Sequence, residues 1–173
     1  TFESAIQAKS AFPGANIEVF DSEMTSMIQG FQILAVARAI EQGATLQECK
    51  AVAEKARPLT NALFVVKTLE FLHRGGRIGG ASAFFGSTLN IKPILSLKDG
   101  EVVAIEKVRT MTKALDRMLD LLEERTGGRT PLRLAVLHAN ALEEAKQLMA
   151  LLRKRFRVSE IDEAVIATLS PVI

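Results

Sequence analysis

A chain of 173 residues with 48% hydrophobic and 24% charged residues has the composition of a soluble globular protein, and it can form one domain or parts of two. The formal charge of +2 gives no support for a nucleic-acid-binding surface, which would need clustered Lys and Arg. The single cysteine, Cys49, excludes an internal disulfide framework, and there is neither an export signal nor an apolar run long enough to cross a bilayer. We therefore expect a cytoplasmic protein.

The first part of the chain is predicted to be mostly helical. In order, the patterns predict the end of a helix over residues 2–11, a strand over 16–20, a helix over 26–42, and a helix that starts at Thr45 and ends before Pro58. The strand is predicted from the alternation of polar and apolar residues in NIEVF. Gly43 supplies a helix stop, and Thr45 with Glu48 forms a capping box for the following helix.

The second part alternates strands and helices. The predicted elements are strands over 63–66, 94–97, 102–106, 132–137 and 158–167, a helical turn over 68–73, and helices over 110–126 and 140–156. Asp99-Gly100 lies between two alternating apolar runs, which predicts a β-hairpin. Asn140 and Glu143 are predicted to cap the last helix.

This order of elements predicts an α/β fold that becomes α+β in the second half because of the hairpin. A domain boundary is expected between residues 58 and 68, which gives a first domain over residues 1–62 and a second over 63–173. The chain starts at Thr1 without a methionine and ends on the apolar run Ser170-Pro-Val-Ile173. We therefore expect it to be a fragment.

Arg74-Gly-Gly-Arg77-Ile-Gly-Gly80 is the most distinctive motif. It lacks the G-x-G-x-x-G spacing of a dinucleotide fingerprint and the Gly-Lys-Ser/Thr of a phosphate loop, and a single RGG in an apolar context is a weak RNA-binding signal. One interpretation is a tight turn whose glycines adopt positive φ. The other is that backbone N–H groups and Arg77 together hold a carboxylate or phosphate, because the planar guanidinium suits both anions.

The remaining candidates favour structural roles. His73 and His138 have no neighbours at metal-ligand spacing, so no metal site is expected, and His138 is interpreted as a surface or packing residue. Cys49 has no catalytic partner and is interpreted as an ordinary helix cysteine. The apolar concentration from Ala83 to Leu95 is interpreted either as core or as the lining of a ligand pocket.

The order LEFLHRGGRIGG, LNIKPIL, DG and KVRT between Leu69 and Thr110 closely resembles the DegV family of bacterial fatty-acid-binding proteins, which includes the binding subunits of fatty acid kinase. EVFDS with Ser26-Met27, FESA near the start and SPVI at the end extend the resemblance over almost the whole chain.

The resemblance implies a two-domain α/β architecture, of which residues 1–62 would be the remainder of the N-terminal domain, so that the first domain is incomplete. It implies that the protein encloses one long-chain fatty acid as its ligand and needs no cofactor. A separate kinase would phosphorylate the bound carboxylate, and the acyl phosphate would feed phospholipid synthesis. The protein itself would be a carrier without catalytic residues, with transient contact to a membrane surface.

The resemblance also assigns residues. The implied fatty-acid-binding residues are Thr1, Ser26, Met27, Gly76, Arg77, Phe85 and Ile91, and the implied kinase-docking residues are Lys107 and Arg109. Ile28 stands where the family commonly has glycine, and His73 stands where lysine is frequent.

The family's N-terminal Thr-Ser segment and its C-terminal Gly-Thr-His-x-Gly-Pro-Gly motif have no counterpart between Thr1 and Ile173, so several carboxylate contacts are expected to be missing from this chain. Two other functions stay open from the residues alone. One is an enzyme domain that binds a small phosphorylated molecule through Arg77. The other is a ligand-free regulatory domain that binds a partner through Arg109 and the hairpin.

Overall fold

The computed structural model describes residues 2–85 and 91–169. Two compact units divide the chain, Thr1–Thr60 and Asn61–Ile173. The mixed α/β fold class is confirmed, whereas the predicted boundary after residue 62 and the assignment of the two parts as domains stay predictions. Among the described helices, none is long and apolar enough to cross a membrane.

The first unit contains three α-helices. They are α1 (Phe2–Ser10), α2 (Ser26–Glu41) and α3 (Leu46–Ala56), and a short 3-10 helix follows over Arg57–Leu59. The Thr45 hydroxyl accepts from the Glu48 N–H at 3.4 Å, and the Glu48 carboxylate accepts from the Thr45 N–H at 2.8 Å, which confirms the capping box. Gly43 ends the α2 region with φ of +85°, as predicted.

The strand predicted over residues 16–20 is wrong. This segment has no partner strand among the described residues and is not part of a sheet. Alternation in NIEVF favours a strand, but a strand also needs a hydrogen-bonded neighbour, and that requirement does not appear in the local pattern.

The second unit contains the strands. They are β1 (Leu63–Val65), β2 (Lys92–Lys98), β3 (Glu101–Val108), β4 (Leu132–His138) and β5 (Ile161–Thr168). Its α-helices are α4 (Glu70–Arg74), α5 (Met111–Thr126) and α6 (Leu142–Arg155), and 3-10 helices cover Gly79–Phe84 and Val158–Glu160. Strands β1, β2 and β3 form an antiparallel sheet in that order, and β4 pairs with β5 in parallel.

Strand β2 is buried on both faces. Ile94 and Leu95 are both 0% exposed, and because successive side chains of a strand point to opposite faces they enter different clusters. Ile94 packs with Ala114 and Met118 of α5, whereas Leu95 packs with Leu69 and Ala81. The first of these faces is called the α5 face below, and the second, covered by the 3-10 helix Gly79–Phe84, is called the turn face.

The hairpin prediction is confirmed. Asp99 and Gly100 have positive φ values of +53° and +78°. A two-residue type I′ turn, whose twist matches that of the strands, requires positive φ at both residues. The predicted cap of α6 is wrong, since Ala141 occupies the N-cap and makes no side-chain capping hydrogen bond. Asn140 has φ of +50° and belongs to the loop before the helix.

A candidate ligand site on the glycine–arginine turn

The turn after α4 is built from the end of that helix. The N–H of Gly75 donates to Phe71 O at 3.0 Å, the N–H of Gly76 to His73 O at 3.0 Å, and the N–H of Arg77 to Leu72 O at 2.8 Å. Gly76 has φ of +67°, a conformation that glycine adopts without a Cβ penalty at the end of a helix. These three N–H groups therefore complete the helix end, and the interpretation that backbone N–H groups of the motif help to hold an anion stays a prediction.

Arg77 is the cation that the turn presents to solvent. Its Nη1 donates to Gly75 O at 3.1 Å, and the side chain is exposed. The neighbouring Arg74 is paired with Glu70 at 2.6 Å. Among the described residues no carboxylate pairs with Arg77, so its guanidinium retains donors for an external carboxylate or phosphate.

The 3-10 helix after Arg77 lies directly against β3. A Cβ on Gly79 would be 2.4 Å from the carbonyl oxygen of Val102, and Gly79 has φ of +47°. Ala81 is 0% exposed in the cluster on the turn face. Glycine and alanine at these positions therefore let the segment that carries the turn contact the backbone of the hairpin.

Two adjacent phenylalanines end this segment. Phe85 is 42% exposed, and its ring stacks on the ring of His73 with centroids 4.0 Å apart and an interplanar angle of 9°. Phe84 is partly buried on the turn face, and the Lys107 Nζ lies 4.4 Å from the centroid of its ring. The sequence pattern alone shows neither contact, because the partners are distant along the chain.

The other predicted residues of the second unit flank strands β2 and β3. Ile91 is half-buried immediately before β2. Arg109 is exposed between the end of β3 and Thr110, whose hydroxyl accepts from the Lys113 N–H at 3.3 Å and caps α5. Among the described residues no ion pair involves Arg109. Leu89 and Thr1 lie outside the described residues.

Ser26 and Met27 begin α2 in the first unit. Ser26 has φ of +53°, and Glu23 in the preceding loop has the same value. Left-handed backbone at non-glycine residues is uncommon and stores strain, which is typical of functional loops. The loop is held by the Asp21 carboxylate, which accepts from the Glu23 N–H at 3.0 Å. This strain marks a candidate binding loop that the residue types alone did not reveal.

The first unit also contains a largely apolar cavity of about 360 Å³ between α2, α3 and residues 18–22. Ile33 and Ile40 line it, and Gln32, 2% exposed, closes one wall by donating to Thr60 Oγ1 at 2.9 Å. The sequence pattern alone does not reveal this cavity, because it is formed by side chains from three separate segments.

Cys49 and His138, interpreted as structural residues, make local contacts with the backbone. Cys49 is 8% exposed and its thiol faces Ala44 O at 3.8 Å. The Nδ1 of His138 accepts from the Ala141 N–H at 3.3 Å. Among the described residues there is no cluster of three or more His, Cys, Asp or Glu that could hold a metal ion.

The fold is mixed α/β, and the segment after α4 presents an exposed arginine and a partly exposed aromatic ring. The DegV family model, "Uncharacterised protein, DegV family", matches residues 1–173. A DegV domain-containing protein of Streptomyces coelicolor is 40% identical over 99% of this chain and 62% of its own length. The chain belongs to the DegV family.

Solved structures of other family members share this fold. DegV from Bacillus subtilis, a fatty acid binding protein, superposes with a TM-score of 0.86 at 36% identity, covering 100% of this chain and 61% of its own. A DegV family protein from Thermus thermophilus whose fatty acid binding was studied superposes with a TM-score of 0.81 at 34% identity. The superposition covers 98% of this chain and 59% of the Thermus chain. The chain thus spans about three fifths of these relatives.

Proposed function

We propose that the full-length protein binds a long-chain fatty acid in the cytoplasm and that Arg77 contacts its carboxylate. The observation that carries this proposal is the 36% identity over the whole chain to a fatty acid binding protein. Two features of the segment 73–85 support it, the exposed guanidinium of Arg77 and the partly exposed ring of Phe85, because an amphipathic acid needs both cationic and apolar surface. Ser26, Met27 and Ile91 are further proposed contacts.

The acyl chain and the head group are expected to contribute differently to binding. Burial of an acyl chain stabilises the complex by about 0.8 kcal/mol per methylene, so a dozen methylenes contribute roughly 10 kcal/mol before the cost of ordering. A hydrogen bond between a charged donor and the head group adds only about 1.5–3 kcal/mol. The acyl chain therefore supplies most of the affinity, and Arg77 fixes the end at which the carboxylate lies.

The proposed role is that of a carrier for a separate kinase. In this proposal the kinase transfers a phosphoryl group from ATP to the bound carboxylate, and the acyl phosphate enters phospholipid synthesis. Arg109 is the proposed docking residue, because it is exposed at the end of β3 and no carboxylate pairs with it among the described residues. Brief contact of the carrier with a membrane surface would allow the lipid to enter and leave.

Native mass spectrometry of the full-length protein purified from cells tests the proposal. The expected result is a protein mass increased by one fatty acid, which denaturation releases for identification. A homogeneous ligand-free protein that also fails to take up added hexadecanoic acid would overturn it.

A further inference from the structure

The segment that carries Arg77 is held at three separate places. At its start and end the rings of His73 and Phe85 stack at 4.0 Å, which closes the loop between them. In its middle Gly79 contacts the Val102 backbone. The third contact is between Phe84 and Lys107, whose Nζ lies 4.4 Å from the ring centroid. These contacts restrict the position of the backbone that carries the Arg77 side chain.

An irregularity in β3 places Lys107 on the face where this contact is made. Leu95 pairs with Ala104 but Ile94 pairs with Glu106, so Ile105 is an additional residue, as in a β-bulge. A bulge changes which face the following side chains occupy. Before it, Val102 and Ala104 lie on the turn face, and after it Lys107 does.

The same shift moves a carboxylate away from the turn. Glu106 lies on the α5 face, where Arg117 forms a two-point hydrogen bond with it at 2.7 and 2.9 Å. Continued alternation from Val102 and Ala104 would have placed Glu106 on the turn face instead. The bulge thus presents a cation rather than a carboxylate on the side of the sheet that supports Arg77.

We propose that Lys107 is a positioning residue for the Arg77 turn, which it holds through the ring of Phe84, and that the bulge at Ile105 exists to place it there. This inference rests on the proposed function of Arg77 in head-group binding. It is an alternative to the docking role that the resemblance assigns to Lys107, because the ammonium group already contacts the Phe84 ring. Arg109 is left as the docking residue.

Binding of hexadecanoic acid and of its uncharged methyl ester to the full-length protein tests this role. In Lys107→Met we expect hexadecanoate to bind about two- to five-fold more weakly, the range that an exposed cation–π contact can supply. Binding of the ester should be unchanged, since it lacks the charge that Arg77 recognises. Lys107→Arg keeps a cation over the ring and should bind both ligands as the wild type does.

Two further variants separate this contact from a general charge effect. Phe84→Leu should weaken hexadecanoate binding to a similar extent, and the double variant with Lys107→Met should be no weaker than either single variant. Lys98→Met removes the same charge from the exposed end of β2 and should have no effect. Additive losses in the double variant, or a loss in Lys98→Met equal to that in Lys107→Met, would overturn the proposal.

Hydrogen exchange distinguishes failure of this inference from failure of the proposed function. Exchange at the amides of Gly79–Phe84 should be faster in Lys107→Met than in the wild type or in Lys98→Met, whether or not ligand is present. If the wild type binds no hexadecanoate, the proposed function fails while the exchange comparison still decides whether Lys107 positions the turn. Unchanged exchange together with weaker binding to the kinase would restore the docking role and exclude positioning.

Discussion

At the scale of single residues, Gly79 combines two constraints that are normally separate. Its φ of +47° disfavours any side chain, and a Cβ would in addition lie 2.4 Å from a backbone oxygen of Val102. Gly128 has a similarly positive φ of +73° but no atom within 4 Å of the Cβ position. The two glycines therefore separate the cost of the backbone conformation from the cost of steric overlap.

We predict that Gly79→Ala destabilises the protein more than Gly128→Ala. The conformational cost is about 1–2 kcal/mol for either substitution, and overlap with β3 adds about 1–3 kcal/mol at Gly79 alone. Urea unfolding of the two variants measures the difference in the free energy of unfolding. Equal destabilisation would mean that the 3-10 helix moves off the hairpin without cost.

The prediction for ligand binding at this scale concerns Arg77. Arg77→Ala should weaken hexadecanoate binding by roughly 10- to 150-fold, which corresponds to the loss of a charged hydrogen bond of about 1.5–3 kcal/mol. Arg74→Ala is the matched control, because its guanidinium is already paired with Glu70. Isothermal titration of both variants gives the comparison, and equal losses would contradict the selective role of Arg77.

At the scale of secondary-structure elements, the pair of Glu106 and Arg117 connects β3 to α5. The hydrogen bond from Arg117, together with its positive charge, lowers the pKa of the Glu106 carboxyl below its ordinary value of 4.5, although desolvation opposes this shift. A carboxyl whose pKa is lower in the folded than in the unfolded state stabilises the fold at pH values above its pKa in the unfolded state. That stabilisation is lost as the pH falls through the pKa of the carboxyl in the folded state.

We therefore predict that Glu106→Gln lowers the free energy of unfolding at pH 7 and that its difference from the wild type decreases as the pH falls below 4.5. Glu101→Gln, at the exposed start of the same strand, makes the same change of charge and should show a much smaller effect. Chemical unfolding across this pH range checks both variants. A pH-independent difference would assign the effect to packing instead.

The elements also show which parts of the fold the sequence determines locally. Asp99-Gly100 and the Thr45–Glu48 capping box were predicted because their partners are neighbours in the chain. The NIEVF strand was wrong because sheet pairing depends on a distant partner. The Asn140 cap was wrong because that residue has positive φ and lies one position before the N-cap.

The candidate site divides in the same way. The position of Arg77 after a helix end follows from the glycine pair, which is a local signal. The contacts that hold it do not, since Lys107 reaches Phe84 only because β3 contains an additional residue at Ile105. A bulge changes the face of every later side chain in the strand, and alternation in the sequence gives no reliable indication of it.

At the scale of the whole molecule, ligand binding and partner binding are proposed to use different cations. Arg77 lies on the turn after α4, and Arg109 lies between β3 and the N-cap of α5. The hairpin register pairs Lys92 with Val108 at the end of β3 next to Arg109, whereas Gly79 near Arg77 contacts Val102 at the other end of the strand. The two functions can therefore be tested by separate substitutions.

We predict that Arg109→Ala leaves hexadecanoate binding within about two-fold of the wild type, because a side chain without a role in head-group binding changes it by at most about 0.5 kcal/mol. Phosphorylation of the bound acid by the partner kinase should decrease at least ten-fold, the effect of losing a charged contact of about 1.5 kcal/mol or more at an interface. Arg129→Ala, an exposed arginine after α5, serves as the control for loss of positive charge. Acyl phosphate formation measured with saturating fatty acid separates phosphorylation from fatty acid binding, since binding then no longer limits the rate.

If Arg109→Ala and Arg77→Ala gave the same profile in both assays, the division between a ligand-facing and a partner-facing arginine would be wrong.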